Sequence, residues 1–130
     1  MRWPGLVGLL TLAVAGRLGA QVERRDGVRT PMRDGVALVA DVWLPAASGR
    51  YPAIIIRTPY GRRADWMDGK GVGEYFAAHG YAVVVQDVRG TGESGGTFQF
   101  LFQEINDGFD AIEWIARQPW SNGRVATMGL

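Results

Sequence analysis

The sequence predicts an α/β fold in which a β-hairpin precedes the start of a mainly parallel sheet with flanking helices. Two nearly unbroken runs rich in β-branched residues, 52–57 and 81–87, are typical of central strands that are apolar on both faces. Helical segments alternate with these strands, as crossovers onto a parallel sheet require. A last strand at 124–128 has no covering helix after it, so we expect an incomplete core.

The hairpin is predicted at the start of the folded region. Residues 28–32 and 36–44 are β-prone runs, and the glycine of Arg33-Asp34-Gly35 between them suits a tight turn. The second run alternates imperfectly, with one apolar face and one mixed face. Pro45 ends it, and a loop is expected before the first central strand.

Two helices are predicted between and after the central strands. The first covers 72–79 and ends at Gly80, the residue type that often follows a helix. The second covers 104–117, where apolar residues recur at helical spacing before Pro119. Residues 120–123 are predicted to form the turn that leads into the last strand.

The first twenty residues have the pattern of a secretory signal peptide. Arg2 gives a basic start, residues 6–15 are apolar, and small residues extend to Ala20. Arg17 interrupts the apolar run before it reaches the length of a membrane span. We expect cleavage near Ala20 and a secreted or periplasmic product, 21–130. A buried N-terminal helix is the alternative, which four glycines in this segment weaken.

Composition limits the partners and the chemistry. The chain has 14 Lys and Arg against 13 Asp and Glu, so no electrostatic argument favours nucleic acid or, after signal cleavage, a membrane. It has no cysteine, which excludes disulfides and a thiol nucleophile. A hydrophobic content of 47% is typical of a globular protein. Nothing in the sequence indicates an oligomeric state.

Ligands of open α/β sheets bind beyond the carboxyl ends of the strands, which points to 58–63, 88–96 and the chain end. A strand followed by glycine, one residue and serine forms the nucleophile elbow of serine hydrolases. Met128-Gly129-Leu130 supplies the strand end, the glycine and the intervening residue, and the serine would come next. Taken alone, this segment is a weak signal, and an ordinary strand that ends in glycine is the more common explanation.

Several further motifs occur in a fixed order along residues 30–130. They are Arg33-Asp34-Gly35 with Ala40-Asp41-Val42, then Arg57-Thr58-Pro59-Tyr60-Gly61, then the segment 80–96, then Asp110-Ala-Ile-Glu-Trp114-Ile with 118–125. Together they resemble the cocaine-esterase and X-Pro dipeptidyl-peptidase family of serine hydrolases. The resemblance implies an α/β-hydrolase core, a serine nucleophile, a small-molecule ester or an amide or peptide as substrate, and no metal or organic cofactor.

The same resemblance implies that 21–130 is the N-terminal part of a catalytic domain, cut at the nucleophile elbow. In full-length relatives a helical cap and a C-terminal jelly-roll domain follow. Nucleophile, acid and base would all lie beyond Leu130, so we expect the 130-residue chain itself to be inactive.

Tyr60 is the candidate catalytic residue. It matches the tyrosine of the family's Thr-Pro-Tyr motif, which resembles an oxyanion-hole donor. A donor aimed at the negative charge of a tetrahedral intermediate stabilises the transition state, and the loop after the first central strand supplies such a donor in this fold class. The alternative is a tyrosine that packs within a Pro-Tyr-Gly turn.

A second function class remains open at Gly90–Gly95, which matches the G-x-G-x-x-G pattern of dinucleotide-binding oxidoreductases. Three features weigh against it. Residues 97–102 separate the glycines from the next helix, Glu93 would repel a pyrophosphate, and Asp110 lies within a predicted helix. A third class is a non-catalytic interaction module whose exposed last strand needs a partner.

Three ionisable residues are candidates for catalysis, but the sequence favours a structural role for each. Asp87 and Arg89 are expected to form a pair that braces loops. His79 is the only histidine, and it stands before the expected serine rather than after it, so it is interpreted as a helix-end residue.

The aromatic residues near the strand ends are candidates for substrate contact. Trp66 follows the Tyr60 loop and could line the mouth of a pocket. Phe98, Phe100 and Phe102 alternate, and contact with the core or a cap is the expectation for them.

Overall fold

A computed structural model describes residues 21–46, 48–64 and 71–129 of the chain. The predicted signal peptide, 1–20, and Trp66 lie outside the described residues. No helix in the described part of the chain is long and apolar enough to cross a membrane. The elements, in chain order, are β1 Val22–Pro31, β2 Ala37–Pro45, β3 Tyr51–Thr58, α1 Val72–Ala78, β4 Ala82–Asp87, α2 Glu104–Ala116 and β5 Ser121–Thr127.

The five strands form one mixed sheet in the order β1-β2-β4-β3-β5. β3 lies at the centre of a parallel part, where Ile55 aligns with Val84 of β4 on one side and with Thr127 of β5 on the other. β2 is antiparallel to both β1 and β4, so the hairpin extends the parallel strands with an antiparallel edge. The alternation of strands and helices therefore predicted the parallel part correctly, and the hairpin makes the whole sheet mixed.

The hairpin forms as predicted, but its first strand is longer. Gly35 has a φ of 84° in the turn, and the amide of Met32 donates to the carbonyl of Val36 over 2.8 Å. β1 begins at Val22 rather than at residue 28, because the charged segment before residue 28 also pairs with β2. A register shift between Arg25 and Val28 marks an irregularity in this strand.

Alternate residues of the central strands enter two separate cores. Ile55 and Val84 belong to the core on the α2 side, which also contains Ile115 of that helix. Ile54 and Val83 belong to the core on the α1 side. Burial on both faces explains why these strands are continuous apolar runs in the sequence.

The helices lie close to their predicted positions. α1 approaches the sheet closely, because a β-carbon at Gly73 would overlap the ring of Trp43. His79 caps the carboxyl end of α1, with its Nδ1 atom 2.6 Å from the carbonyl oxygen of Tyr75, which agrees with its interpretation as a helix-end residue. β5 begins at Ser121, so most of the predicted turn at 120–123 is strand.

Candidate active site

The carboxyl ends of β3, β4 and β5 meet at one edge of the sheet. The amide of Val88, just past β4, donates to the carbonyl of Thr58 at the end of β3 over 3.0 Å. The amide of Met128, just past β5, donates to the carbonyl of Ile55 in β3 over 2.9 Å. The loop that carries Tyr60 and the chain segment at Met128 therefore leave adjacent strands in the same direction.

Tyr60 lies on an exposed turn at this edge. Its backbone amide donates to the Oγ1 atom of Thr58 over 3.0 Å, and the Thr58 side chain is buried at the end of β3. This bond turns the chain outward directly after the strand. Tyr60 is 77% exposed, so most of its surface faces outward at this edge.

A buried ion cluster lies behind this turn. The Arg62 side chain is 3% exposed, and its Nε atom donates to Oδ1 of Asp41 over 3.0 Å. Its Nη1 atom donates to Oδ2 of Asp87 over 2.5 Å, and its Nη2 atom contacts the Glu93 carboxylate. Arg63 donates from Nε to Oδ2 of Asp41 over 2.9 Å.

Arg62, Asp41 and Glu93 support one another's charged forms. Burial lowers the pKa of Arg62, but hydrogen bonds to Glu93, Asp41 and Asp87 outweigh it and raise that pKa above the ordinary value. Burial raises the pKa of Asp41, but hydrogen bonds from Arg63, the Gly27 amide and Arg62 bring it below the ordinary value. The hydrogen bond from Arg62 also lowers the pKa of Glu93.

Asp87 and Arg89 do not pair with each other, contrary to the sequence-based expectation. Asp87 binds Arg62, whereas Arg89 donates from Nε and Nη2 to the two carboxylate oxygens of Asp107 over 2.9 and 2.7 Å. Arg89 also contacts Asp34 in the hairpin turn over 2.8 Å. Asp87, at the end of β4, and Arg89, just after it, bind different neighbours, so each of the two residues braces a different segment.

The glycine-rich loop packs against these charged side chains and does not form a dinucleotide site. A β-carbon at Gly92 would overlap the Asp87 carboxylate, and one at Gly96 would lie 2.8 Å from Cγ of Arg89. The amide of Gly90 donates to the carbonyl of Gly95 over 2.9 Å, which closes the loop on itself. The next helix begins only at Glu104, so the loop does not open a helix directly, as a pyrophosphate site would require.

The family model of the X-Pro dipeptidyl-peptidases, the S15 family, matches residues 34–130. The chain belongs to this family.

A related sequence and two solved structures that are similar to this chain agree with the family assignment. The chain is 35% identical over 114 residues to the cocaine esterase of a Rhodococcus species, covering 81% of this chain and 19% of the esterase. Its fold matches a CocE/NonD family hydrolase from Staphylococcus aureus with a TM-score of 0.72 and 26% identity, over 82% of this chain and 22% of that one. An aminopeptidase from a Thaumarchaeota archaeon matches with a TM-score of 0.70 and 29% identity, over 83% of this chain and 21% of the aminopeptidase. The chain thus spans about a fifth of the length of these proteins.

The three phenylalanines before α2 are not core residues. Phe98, Phe100 and Phe102 are 43%, 67% and 86% exposed, so they are not buried in the core, and contact with a cap stays a prediction. Their alternation occurs in a loop and turn that lead into α2, where side chains point outward. Phe98 and Phe100 line a small cavity of about 120 Å³ with Arg57 and Pro59, beside the Tyr60 loop.

Neither Arg57, which occurs in one of the family motifs, nor Arg62 was predicted as a site residue from the sequence. Arg57 donates from Nε to Gln86 over 2.9 Å and from Nη1 to Glu104 over 2.5 Å, and burial lowers its pKa in spite of that carboxylate. Its buried Nη2 atom has no hydrogen-bond partner among the described residues. A usable signal existed for Arg62, because Asp41 is a carboxylate within an apolar strand and requires a buried cation.

Metal ligation has no candidate in the described part of the chain. No group of three or more His, Asp or Glu side chains there could hold a metal ion. The carboxylates near Tyr60 are instead neutralised by arginines.

Proposed function

We propose that this chain is the N-terminal part of the catalytic domain of a secreted or periplasmic serine hydrolase that cleaves acyl esters or X-Pro and acyl amides through an acyl-enzyme. Membership of the S15 family supports the reaction class. In this proposal Tyr60 donates a hydrogen bond to the oxyanion, and a serine directly after Leu130 is the nucleophile. An Asp–His pair further along the chain transfers the protons.

The parallel pairing of β3 and β5 is the observation that carries this proposal. It brings the exit of β5 at Met128 beside the strand that leads to Tyr60, with 2.9 Å between the Met128 nitrogen and the Ile55 oxygen. A serine directly after Leu130 would therefore stand at the edge where Tyr60 is exposed. A nucleophile and an oxyanion donor must both face the reacting carbonyl, and this edge allows that.

The substrate class is proposed from the relatives. A cocaine esterase and an aminopeptidase are both similar to this chain, so ester and amide substrates remain alternatives. Both substrates pass through a tetrahedral intermediate that carries a negative oxygen. Tyr60 would act in the same way on either, and residues beyond the chain would select between them.

The nucleophile is tested first in the complete gene product. A fluorophosphonate probe should label the protein, and peptide mapping should locate the label on a serine directly after Leu130. The 130-residue chain expressed alone should remain unlabelled. Labelling at a different position would remove this elbow from the mechanism, and a coding sequence without Ser-x-Gly after Leu130 would do the same.

Tyr60→Phe tests the oxyanion donor in the same protein. The variant should fold normally and lower kcat for a p-nitrophenyl ester about 100-fold, since it removes one donor to the oxyanion. Tyr75→Phe is the matched control, because Tyr75 is an exposed tyrosine on α1. An equal, small effect of both substitutions would exclude Tyr60 from the reaction.

A further inference from the structure

Arg62 ties the turn that carries Tyr60 to the rest of the fold at more points than its neighbour Arg63, which among the described residues binds only Asp41. Arg62 follows Tyr60 by two residues, and its three side-chain nitrogens contact the carboxylates of Asp41, Asp87 and Glu93. These carboxylates belong to β2, to the end of β4 and to the glycine-rich loop. A single side chain thus joins the Tyr60 turn to three separate segments.

The contact with Asp87 fixes the backbone as well as the side chain. One carboxylate oxygen of Asp87 accepts from the backbone amide of Arg62 over 2.6 Å, and the other accepts from Nη1 over 2.5 Å. On the other side of Tyr60, the Thr58 hydroxyl accepts from the Tyr60 amide over 3.0 Å. The backbone is therefore anchored before and after the exposed tyrosine, and these anchors hold a residue that packing covers only slightly.

We propose that Arg62 is a positioning residue, which holds the Tyr60 hydroxyl where the oxyanion develops. This inference rests on the proposed function, because it takes Tyr60 to be an oxyanion donor. A hydroxyl stabilises the oxyanion only at hydrogen-bond distance, and a displacement of about 1 Å can lower a rate about 100-fold. Arg62 is buried and would act through Tyr60, so its loss should change kcat more than KM.

Substitution by lysine separates positioning from charge. Lysine preserves the cation that Asp41 and Asp87 need, which limits the loss of stability. It cannot reproduce the planar fork of Arg62, whose nitrogens reach carboxylates in three directions. The loop would keep its compensating charge and lose its defined geometry.

The experiment is a double-mutant cycle in the complete gene product, with hydrolysis of a p-nitrophenyl ester as the readout. Arg62→Lys should lower kcat about tenfold with little change in KM. In the Tyr60→Phe background, the same substitution should lower kcat less than about twofold, because no donor remains to be positioned. Arg117→Lys is the matched control, an exposed arginine paired with Glu113 on α2, and should leave kcat unchanged.

The outcomes separate the two proposals. Equal factors for Arg62→Lys in both backgrounds, or an unchanged kcat, would overturn the positioning role while leaving Tyr60 as a donor. A silent Tyr60→Phe, or a protein without hydrolase activity, would overturn the proposed function itself. If Arg62→Lys fails to fold, Glu93→Gln replaces it, since the Glu93 side chain is mostly exposed and supplies only one of the three contacts. A loss of kcat that persists in the Tyr60→Phe background would then count against positioning.

Discussion

Arg89 and Asp107 face each other as two parallel forks, with both side chains almost completely buried. Nε and Nη2 of Arg89 donate to separate oxygens of Asp107 over 2.9 and 2.7 Å. The pair joins the turn after β4 to the first turns of α2, across a stretch of loop between them. It therefore fixes where α2 begins relative to the strand ends that carry the candidate site.

Asp107→Asn should destabilise the fold by about 3 kcal/mol, because it leaves the Arg89 cation buried with one carboxylate fewer. The measurement is urea unfolding of the complete protein followed by tryptophan fluorescence. Glu113→Gln breaks an exposed pair on the same helix and should cost about 0.5 kcal/mol or less. Similar costs for the two substitutions would show that the fork contributes no more than a surface ion pair.

The glycine pattern of the 90–96 loop is explained by packing, and this can be tested at Gly92. Its φ is +54°, and a β-carbon there would overlap the Asp87 carboxylate, so Gly92→Ala should cost about 3 kcal/mol or more. Gly27 has a similar φ of +64°, but a β-carbon added there would have nothing within 4 Å. Gly27→Ala should therefore cost only about 1 kcal/mol.

Thermal unfolding of the Gly92→Ala and Gly27→Ala variants compares the two losses of stability. Equal decreases in Tm would mean that backbone strain alone accounts for the cost at Gly92, without the contact to Asp87.

Titration of the unsubstituted protein with NADH should give no change in cofactor fluorescence. Saturable binding that Gly92→Ala abolishes would instead favour the dinucleotide interpretation of this loop.

The sequence predicted the elements whose burial is regular. β3 and β4 are apolar on both faces, so continuous apolar runs located them to within one residue at each end. The first half of β1 was missed, because 23–26 are all charged and are exposed on an edge strand. Pairing with β2 holds this segment extended. Because that partner is distant in the chain, residues 23–26 themselves carry no pattern that predicts a strand.

In the candidate site, too, features set by the order of elements could be predicted, whereas contacts between residues far apart in the chain could not. The position of Tyr60 at the carboxyl edge of the sheet followed from the order of strands and helices. The partners of Asp87 and Arg89 did not, because Arg62 and Asp107 lie 25 and 18 residues away in the chain. Neighbours in sequence were expected to pair, whereas the strand end directs their side chains to different segments. The catalytic role of Tyr60 remains a prediction.

Asp41 should make the stability of the fold depend on pH in the acid range. Its pKa in the folded chain is below the ordinary value of 3.8, so the folded state binds fewer protons than the unfolded state between the two values. Its contribution is fully present above the ordinary pKa and is lost as pH falls through the depressed one. Glu93, whose pKa is lowered mainly by Arg62, acts in the same direction.

Asp41→Asn is the test of this pH dependence. The variant should be less stable than the unsubstituted protein at pH 7, because Arg62 and Arg63 lose a carboxylate. The difference should shrink as pH falls below the ordinary pKa of 3.8, because the unfolded state then binds a proton at Asp41 while the folded state still holds the carboxylate ionised. Urea midpoints measured from pH 7 to pH 3 give the difference directly, and a constant gap over that range would contradict a depressed pKa.

The 130-residue chain should self-associate when it is expressed alone. Six large apolar side chains are exposed within one short segment: Phe98, Phe100, Leu101, Phe102, Ile105 and Phe109. Exposed apolar clusters of this kind lead to aggregation or mark an interface. β5 adds to this, because it lies at the edge of the described sheet and most of its residues are exposed.

Size-exclusion chromatography with light scattering measures this association. The double variant Phe102→Ser, Ile105→Lys should shift the chain toward monomer without changing its circular dichroism, because both side chains are exposed and neither supports the core. Asn106→Lys adds the same charge at an exposed neighbouring position and should not dissolve the associated species. A stable, compact monomer of the unsubstituted chain would contradict the prediction and would favour an independent interaction module, since the exposed segment would then be tolerated in water.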